Sequence, residues 1–221
     1  LLYEDVLRPD EAQRSHAPAA AVAEEDVAAI LYTSGTTGRP KGAMLTQLGI
    51  VHSVLHYIAA MGLSDQDRSL LAVPATHVTG LIANVAAMAG VGGTLVLMAD
   101  FKAAAFLDLA EAERVTHTLM VPAMYQLLLL EPDFARRQLL AWRVGGFGGA
   151  PMPVATIDAL GQVVPGLTLL NAYGATETTS PTTLMPIGQT RAHADTVGVA
   201  LPCAAVMVVD EQGCELPVGE V

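Results

Sequence analysis

Residues 31–42 read Leu31-Tyr32-Thr33-Ser34-Gly35-Thr36-Thr37-Gly38-Arg39-Pro40-Lys41-Gly42, which packs four Ser/Thr hydroxyls, three glycines and one lysine directly behind an apolar run. Gly35, Gly38 and Gly42 let the backbone turn tightly and approach a ligand with no Cβ in the way, so successive N–H groups can converge on anionic oxygens. Thr33, Ser34, Thr36 and Thr37 add hydroxyl donors, and Lys41 adds a mobile positive charge. Such a loop is suited to cradling phosphate. It differs from the Gly-x4-Gly-Lys-[Ser/Thr] loop, because the place of the second glycine, counted from Gly35, holds Pro40, and Gly42 follows the lysine. A Ser/Thr/Gly-rich surface linker has a similar composition, but linkers seldom follow a strand-like run such as 27–31 and lead into an amphipathic helix.

The segment 32–42 resembles the phosphate loop of the adenylate-forming superfamily, which comprises acyl- and aryl-CoA synthetases, firefly-type luciferases and peptide-synthetase adenylation domains. Asn171-Ala172-Tyr173-Gly174-Ala175-Thr176-Glu177 is similar to that family's second core motif, and Gly148-Gly149-Ala150-Pro151-Met152-Pro153 to its adenine-side loop. Pro74-Ala75-Thr76-His77-Val78-Thr79-Gly80 and Gly198-Val199-Ala200-Leu201-Pro202 match two weaker motifs, and all of them stand in family order.

The resemblance implies an AMP-forming acyl-CoA synthetase, an acid–thiol ligase of fatty acid metabolism. A carboxylate does not react with a thiol, since its leaving group would be oxide; joining it to AMP, with release of pyrophosphate from ATP, opens it to CoA. Bringing a carboxylate against phosphates requires positive potential and a metal bridging their oxygens. By resemblance, the residues expected to carry the catalysis are Lys41, His77, Thr176 and Glu177. Thr33, Ser34, Gly35, Thr36, Thr37, Gly38 and Lys41 would hold the phosphates. Gly149, Ala150 and Pro151 would face the adenine edge, Tyr173 would lie flat against the base, and Thr176 would donate to the α-phosphate, with Asn171 completing the nucleotide site. Glu177 is the expected Mg²⁺ ligand, since Mg²⁺ is usually held by one or two carboxylates plus substrate phosphates. The implied cofactors are ATP, Mg²⁺ and coenzyme A. By the same analogy an acid pocket would be lined by residues 81–89, Phe147-Gly148 and Gly174-Ala175. Its small members Ala83, Ala86, Ala87, Gly148 and Ala175 would leave room for an apolar, fatty-type acid, although helix–sheet packing also selects Ala and Gly.

Peptide-synthetase adenylation domains place an Asp near 74–80 to pair with an amino group. Here Thr76-His77 stand there and no acidic residue occurs between Asp67 and Asp100, which disfavours amino acids. A single His in an apolar stretch is by itself most often structural; the family's use of an aromatic or His at the position of His77, beside the carboxylate and thiol channel, raises the functional reading to parity. His52 and His56 stand at i, i+4, but Ser53 occupies the place where a zincin has Glu, so a solvated helix face is expected. An amino-acid or aryl-acid adenylation domain, or a non-catalytic nucleotide-binding fragment, remain the alternatives. In the family a mobile C-terminal domain supplies a further lysine, and a Thr-Gly-Asp segment binds ribose. Residues 1–221 are therefore expected to be an internal fragment without the N-terminal subdomain and the C-terminal lid domain, binding MgATP weakly and inactive alone.

Composition sets limits. With 52% hydrophobic and 15% charged residues, 221 residues can bury a large core. A formal charge of −11 argues against nucleic acid and anionic membranes as partners, so any anion site must be local. The two cysteines, Cys203 and Cys214, are too few for a disulfide framework, and a cytoplasmic location is expected. The apolar stretch 81–98 is interrupted by Asn84 and Gly90-Val91-Gly92-Gly93, and reads as helix, turn and strand rather than a membrane span.

These loops need a scaffold. Residues 1–26 read as a lead-in helix and loop whose acidic end, Glu24-Glu25-Asp26, forms a solvated cap. From Val27 strand-like runs alternate with helical ones, the pattern of an α/β fold with a mostly parallel sheet covered by helices on both faces. Strands are expected near 28–33, 69–73, 94–97, 117–121, 143–146, 168–171 and 205–210. Helices are expected at 81–89, 103–113, 123–130 and 154–162, together with one that starts at N-cap Thr46, carries Leu48, Val51, Leu55 and Ile58 on one stripe, and ends before Gly62. Residues 27–195 form the expected nucleotide-binding subdomain, and 196–221 the start of a small β unit turning at Asp210-Glu211-Gln212-Gly213.

Overall fold

In the computed structural model the described residues are 20–34 and 38–220. Most of the expected lead-in, residues 1–19, lies outside them. The core is a sheet of seven strands: β3 (Arg68–Leu71), β4 (Thr94–Leu97), β5 (His117–Met120), β6 (Val144–Phe147), β7 (Thr168–Tyr173), β8 (Thr183–Leu184) and β9 (Val199–Ala200). Their spatial order is β4-β3-β5-β6-β7-β8-β9. The first five are parallel, while β8 and β9 add antiparallel at one edge.

Helices cover both faces. α1 (Gln47–Met61) and the π-helical stretch Thr79–Ala86, which continues into α2 (Ala87–Val91), pack on one side. There Tyr57, Met61, Ile82, Ala83, Ala87 and Met88 meet Leu119, Val144, Leu170 and Ala172. α3 (Ala103–Ala112), α4 (Pro122–Leu129) and α5 (Val154–Val163) pack on the other. On that side Phe106, Leu107, Tyr125, Leu128, Trp142, Ile157 and Leu160 meet Leu70, Met120, Phe147 and Leu169. Adjacent strand residues such as Leu119 and Met120, or Leu169 and Leu170, fall in opposite clusters, as the two-residue period of a strand requires. No described helix is long and apolar enough to cross a membrane.

Four expectations are corrected. The run at 28–33 is a strand, β1 (Val27–Thr33), but outside the parallel sheet: it pairs antiparallel with β2 (Lys41–Thr46) in a separate hairpin. The run at 205–210 has no ladder; Val209 makes an isolated bridge to Glu215 across the Asp210–Gly213 turn. In α1 the expected stripe is split: Val51 and Leu55 are exposed, Leu48 and Ile58 are partly buried with Ile58 packed against the core, and Ser53, Tyr57 and Met61 form the buried face. Ala83 and Ala87 are fully buried in helix–sheet packing, so they do not line an open pocket.

The ends of α1 follow the sequence signals. Thr46 Oγ1 accepts from Gly49 N at 3.1 Å, and Gly62 closes the helix at φ 56°. The turn at Glu24-Glu25-Asp26 serves this helix through its backbone, because the carbonyls of Glu24 and Asp26 accept from Leu48 and Gln47 N–H.

The amino ends of the parallel strands are held by charge. Arg143 donates to both Asp67 carboxylate oxygens, at 3.1 and 2.7 Å, and to the Met61 and Gly62 carbonyls, while Thr116 Oγ1 donates to Asp67 at 2.6 Å. Burial works to raise the Asp67 carboxyl, but hydrogen bonds from Arg143, Thr116 and Ser64 N–H, with the Arg143 charge, outweigh it and hold the group below the usual carboxylate range.

Candidate functional site

Sheet order places the ligand edge. In chain order the parallel strands run β3 then β4 to one side, after which the chain crosses back to β5 and continues outward through β6 and β7. The reversal lies between β3 and β5, and ligands of open α/β sheets gather beyond the carboxyl ends of the strands at such a point. The segment 74–80 leaves β3 there. Its backbone doubles back tightly, with His77 N donating to the Pro74 carbonyl at 3.2 Å and Gly80 packed so closely on that carbonyl that a Cβ would collide with it. His77 itself is exposed at this edge.

The same edge carries the turn after β6. Gly148 abuts the carbonyl of Ala172 on β7 with no room for a side chain, and Gly149 takes φ 77°, so this corner requires glycine twice. Gly149, Ala150 and Pro151 follow as exposed residues. From β7 emerge Tyr173, half exposed, and the single 3₁₀ turn Thr176–Thr178. That turn is closed by its own side chains: Thr178 Oγ1 accepts from Ala175 N and donates to the Ala175 carbonyl, both at 3.0 Å, and Thr182 N donates to the Tyr173 carbonyl at 2.8 Å. Glu177 projects from it as an exposed carboxylate.

The β1–β2 hairpin brings Thr33 and Lys41 opposite each other at the base of the loop between them. Thr33, Ser34, Gly38 and Lys41 are described; Gly35, Thr36 and Thr37 lie outside the described residues. β2 lies against the Thr176–Thr178 turn, and a Cβ at Gly49 would stand 3.1 Å from Thr179 Oγ1, so the start of α1 touches the same loop. The structure thus brings the phosphate-type hairpin and the Glu177 turn side by side. Asn171 is different, because its side chain is buried and donates to the Thr196 carbonyl at 3.1 Å, tying the following segment to β7.

Charge at this edge is uncommitted. Arg68, Arg137, Arg143 and Arg191 are paired with carboxylates elsewhere, whereas Lys41, Arg39 and Glu177 make no ion pair with a described residue. No group of three or more His, Cys, Asp or Glu residues that could cage a metal occurs among the described residues. One open carboxylate fits an ion that draws most of its ligands from phosphate and water, as Mg²⁺ does.

Sequence reasoning missed β2 as the strand that aims the hairpin, and missed the part played by residues 178–182. The signal for β2 was present in Ala43, Met44 and Leu45, but Lys41-Gly42 reads as loop. The residues at 178–182 are a run of small hydroxyl side chains and a proline with no period.

The profile of the AMP-binding enzyme family matches residues 2–221. Among curated proteins, the chain is 33% identical to a putative acyl-CoA synthetase, YngI, of Bacillus subtilis, over 87% of this chain and 35% of that protein. It is 32% identical to the indoleacetate–CoA ligase of Aromatoleum aromaticum, over 86% of this chain and 37% of the relative. Among solved structures, the O-succinylbenzoate coenzyme A synthetase MenE of Bacillus subtilis, in complex with ATP and magnesium ion, matches at a TM-score of 0.80 and 27% identity. That match covers 90% of this chain and 40% of that one. The chain therefore spans well under half the length of these three proteins.

Proposed function

The chain belongs to the AMP-binding enzyme family, whose relatives here are acid–CoA ligases, and from that premise we propose that it is the nucleotide-binding part of an enzyme that activates a carboxylic acid. The reaction is ATP-dependent formation of an acyl-adenylate with release of pyrophosphate, followed by transfer to CoA, and the expected acid is a fatty acid. The observation that carries this reading is the adjacency of the β1–β2 hairpin and the Thr176–Thr178 turn at the carboxyl edge of the sheet.

The proposed parts are these. The hairpin offers Ser34, the Thr33 hydroxyl and the backbone of Gly38 to phosphate oxygens, with Lys41 supplying charge from the base of β2. Thr176, on the turn, would donate its hydroxyl to the α-phosphate. Glu177 would hold Mg²⁺, which when bound neutralises phosphate charge and orients the leaving group. Tyr173, half exposed at the end of β7, would lie against a purine whose edge faces the exposed Gly149–Pro151 backbone at the end of β6. His77, at the point where strand order reverses, would border the acid. Residues 27–195 act as the nucleotide-binding unit, and 196–221 begin a small β unit.

An aryl acid is the second reading, supported by the similarity to the indoleacetate–CoA ligase. The test is carboxylate-dependent exchange of labelled pyrophosphate into ATP, using the protein at its full natural length and a panel of fatty, aryl and amino acids. Exchange with fatty acids is expected. Exchange with aryl acids alone would establish the second reading, exchange with amino acids alone would overturn both, and none with any acid would remove adenylation altogether.

A further inference from the structure

The segment that follows Glu177 is built unlike the rest of the molecule. Thr179 and Ser180 both take positive φ, 60° and 33°, and apart from Arg114 they are the only non-glycine residues to do so among those described. Left-handed backbone is unfavourable for a β-branched residue, and such conformations persist only where surrounding structure over-determines them. Here the surroundings are specific. Thr179 is buried against the start of α1, where Gly49 leaves it room. Ser180 is buried against Gly174, whose missing side chain makes space for the serine Cβ and hydroxyl. The one side-chain hydrogen bond that ties this segment to the helix layer runs from Ser180 Oγ to the hydroxyl of Tyr57, 3.3 Å away on the buried face of α1.

Tyr57 is a costly way to fill that position. Its ring is enclosed by the core cluster beneath α1, where phenylalanine would pack equally well, yet it carries a buried hydroxyl whose only side-chain partner among the described residues is Ser180. Burial pushes the phenol up to about 12, with the Ser180 hydrogen bond opposing, so the group is a neutral hydroxyl at any physiological pH. The loop between the strained segment and β7 is closed on itself by hydrogen bonds of Thr178 and Thr182. Fixing Ser180 therefore fixes Glu177.

We propose that Tyr57 and Ser180 are a positioning pair, whose buried hydrogen bond fastens the strained segment after the Thr176–Thr178 turn to α1 and so sets the Glu177 carboxylate beside the Lys41 hairpin. The pair touches no substrate. Because α1 begins at the end of β2, the same helix carries the phosphate hairpin at its amino end and anchors the metal-holding turn by its buried face. The two halves of the site are thereby referenced to one rigid body. This rests on the reading of Glu177 as a metal ligand given above.

The experiment uses Tyr57→Phe, Ser180→Ala and the double variant in the protein at its full natural length, with two readouts. Amide hydrogen exchange is followed at Thr178 and Thr182, against reference amides in β5 and β6. In either single variant the turn amides are expected to lose about tenfold in protection while the reference amides keep theirs, and the double variant should match the singles, since both remove one bond. In pyrophosphate–ATP exchange, the Mg²⁺ concentration for half-maximal rate is expected to rise about fivefold in each variant, the effect of one lost hydrogen bond. Unchanged protection at Thr178 and Thr182, or a loss spread equally over β5 and β6, would overturn the positioning role, as would additive effects in the double variant. If the unmutated protein shows no exchange with any acid, the proposed function falls, and hydrogen exchange alone then decides whether the pair positions the turn.

Discussion

His117 makes stability acid-sensitive in a way that can be worked out from its surroundings. The ring is fully buried at the start of β5, Nδ1 lies 3.0 Å from Ser69 Oγ, Ser69 donates to Asn84 Oδ1, and Nε2 has no partner among the described residues. Burial drives its pKa down to about 4; the Asp67 carboxylate opposes this and the Arg143 guanidinium reinforces it. An unfolded histidine titrates near 6.5, so between about 6.5 and about 4 the unfolded chain binds a proton that the folded chain refuses. The sign follows: His117 costs nothing above the unfolded value, and stability declines as pH falls through that window and levels off below it. Linkage across those two values gives a loss of about 2 kcal/mol between pH 7 and pH 5, a sizeable share of the roughly 5–15 kcal/mol that holds a domain together. The assay is urea unfolding followed by fluorescence of Trp142, the sole tryptophan, which is buried and bonded to Thr118 on β5. The midpoint is expected to fall by roughly 1 M urea between pH 7 and pH 5. His56, held low by burial and by His52, titrates in the same direction. The deciding comparison is therefore His117→Gln, which keeps His56: its midpoint should move by less than half as much. Equal shifts in both proteins would refute the reasoning.

Four further substitutions have expected outcomes. Lys41→Ala should lower the exchange rate about tenfold or more through lost charge at the leaving phosphates, and Glu177→Ala should raise the Mg²⁺ needed for half-maximal exchange by about tenfold; unchanged kinetics for both would overturn the site assignment. Asp67→Asn should cost about 2–4 kcal/mol in urea unfolding, because it leaves the Arg143 guanidinium without its buried partner while part of that side chain still reaches water. Gly148→Ala should cost about 1–3 kcal/mol and weaken nucleotide binding, since the new methyl must push the carboxyl ends of β6 and β7 apart; nucleotide affinity equal to that of the unmutated protein would show that the corner tolerates the shift.

Much of the scaffold was legible because its signals are local. β4 at Thr94–Leu97 lies between Gly93 and the bend at Ala99-Asp100, α1 begins after Thr46 and ends before Gly62, and β3, β5, β6 and β7 fall within a few residues of their apolar runs. What escaped depends on partners distant in sequence. Residues 205–210 have every local mark of a strand, Val206-Met207-Val208-Val209, and yet stay exposed without a ladder, because a strand exists only where another supplies hydrogen bonds. Conversely β8 and β9, of two residues each, exist because β7 offers an edge. Of the stripe Leu48, Val51, Leu55 and Ile58, the middle two misled because α1 packs against the hairpin and the π-helical stretch, which selects the face bearing Tyr57 and leaves Val51 and Leu55 outside. The site motifs were readable as composition, in glycines, hydroxyls, one lysine and one glutamate, but their adjacency was not.

On the proposed function, the two edges of the sheet divide stability from chemistry. At the amino edge Asp67, Thr116 and Arg143 bind three strand starts to one another and to the end of α1, and His117 is walled in just above them. A search for function through buried titratable groups would stop there, at a set whose polar atoms are almost all satisfied within the fold. At the carboxyl edge Lys41, Glu177, Tyr173 and His77 are exposed, and neither Lys41 nor Glu177 has a charged partner among the described residues. A site that handles a polyanion and a divalent cation has reason to be arranged this way, because the ligands bring the charges that complete it, and a carboxylate already paired with an arginine could not hold a metal. Such a site must then be positioned by uncharged means. The glycine corner at Gly148, the self-closed turn at Thr178 and the hydroxyl pair Tyr57–Ser180 do this without setting a competing charge beside the phosphates.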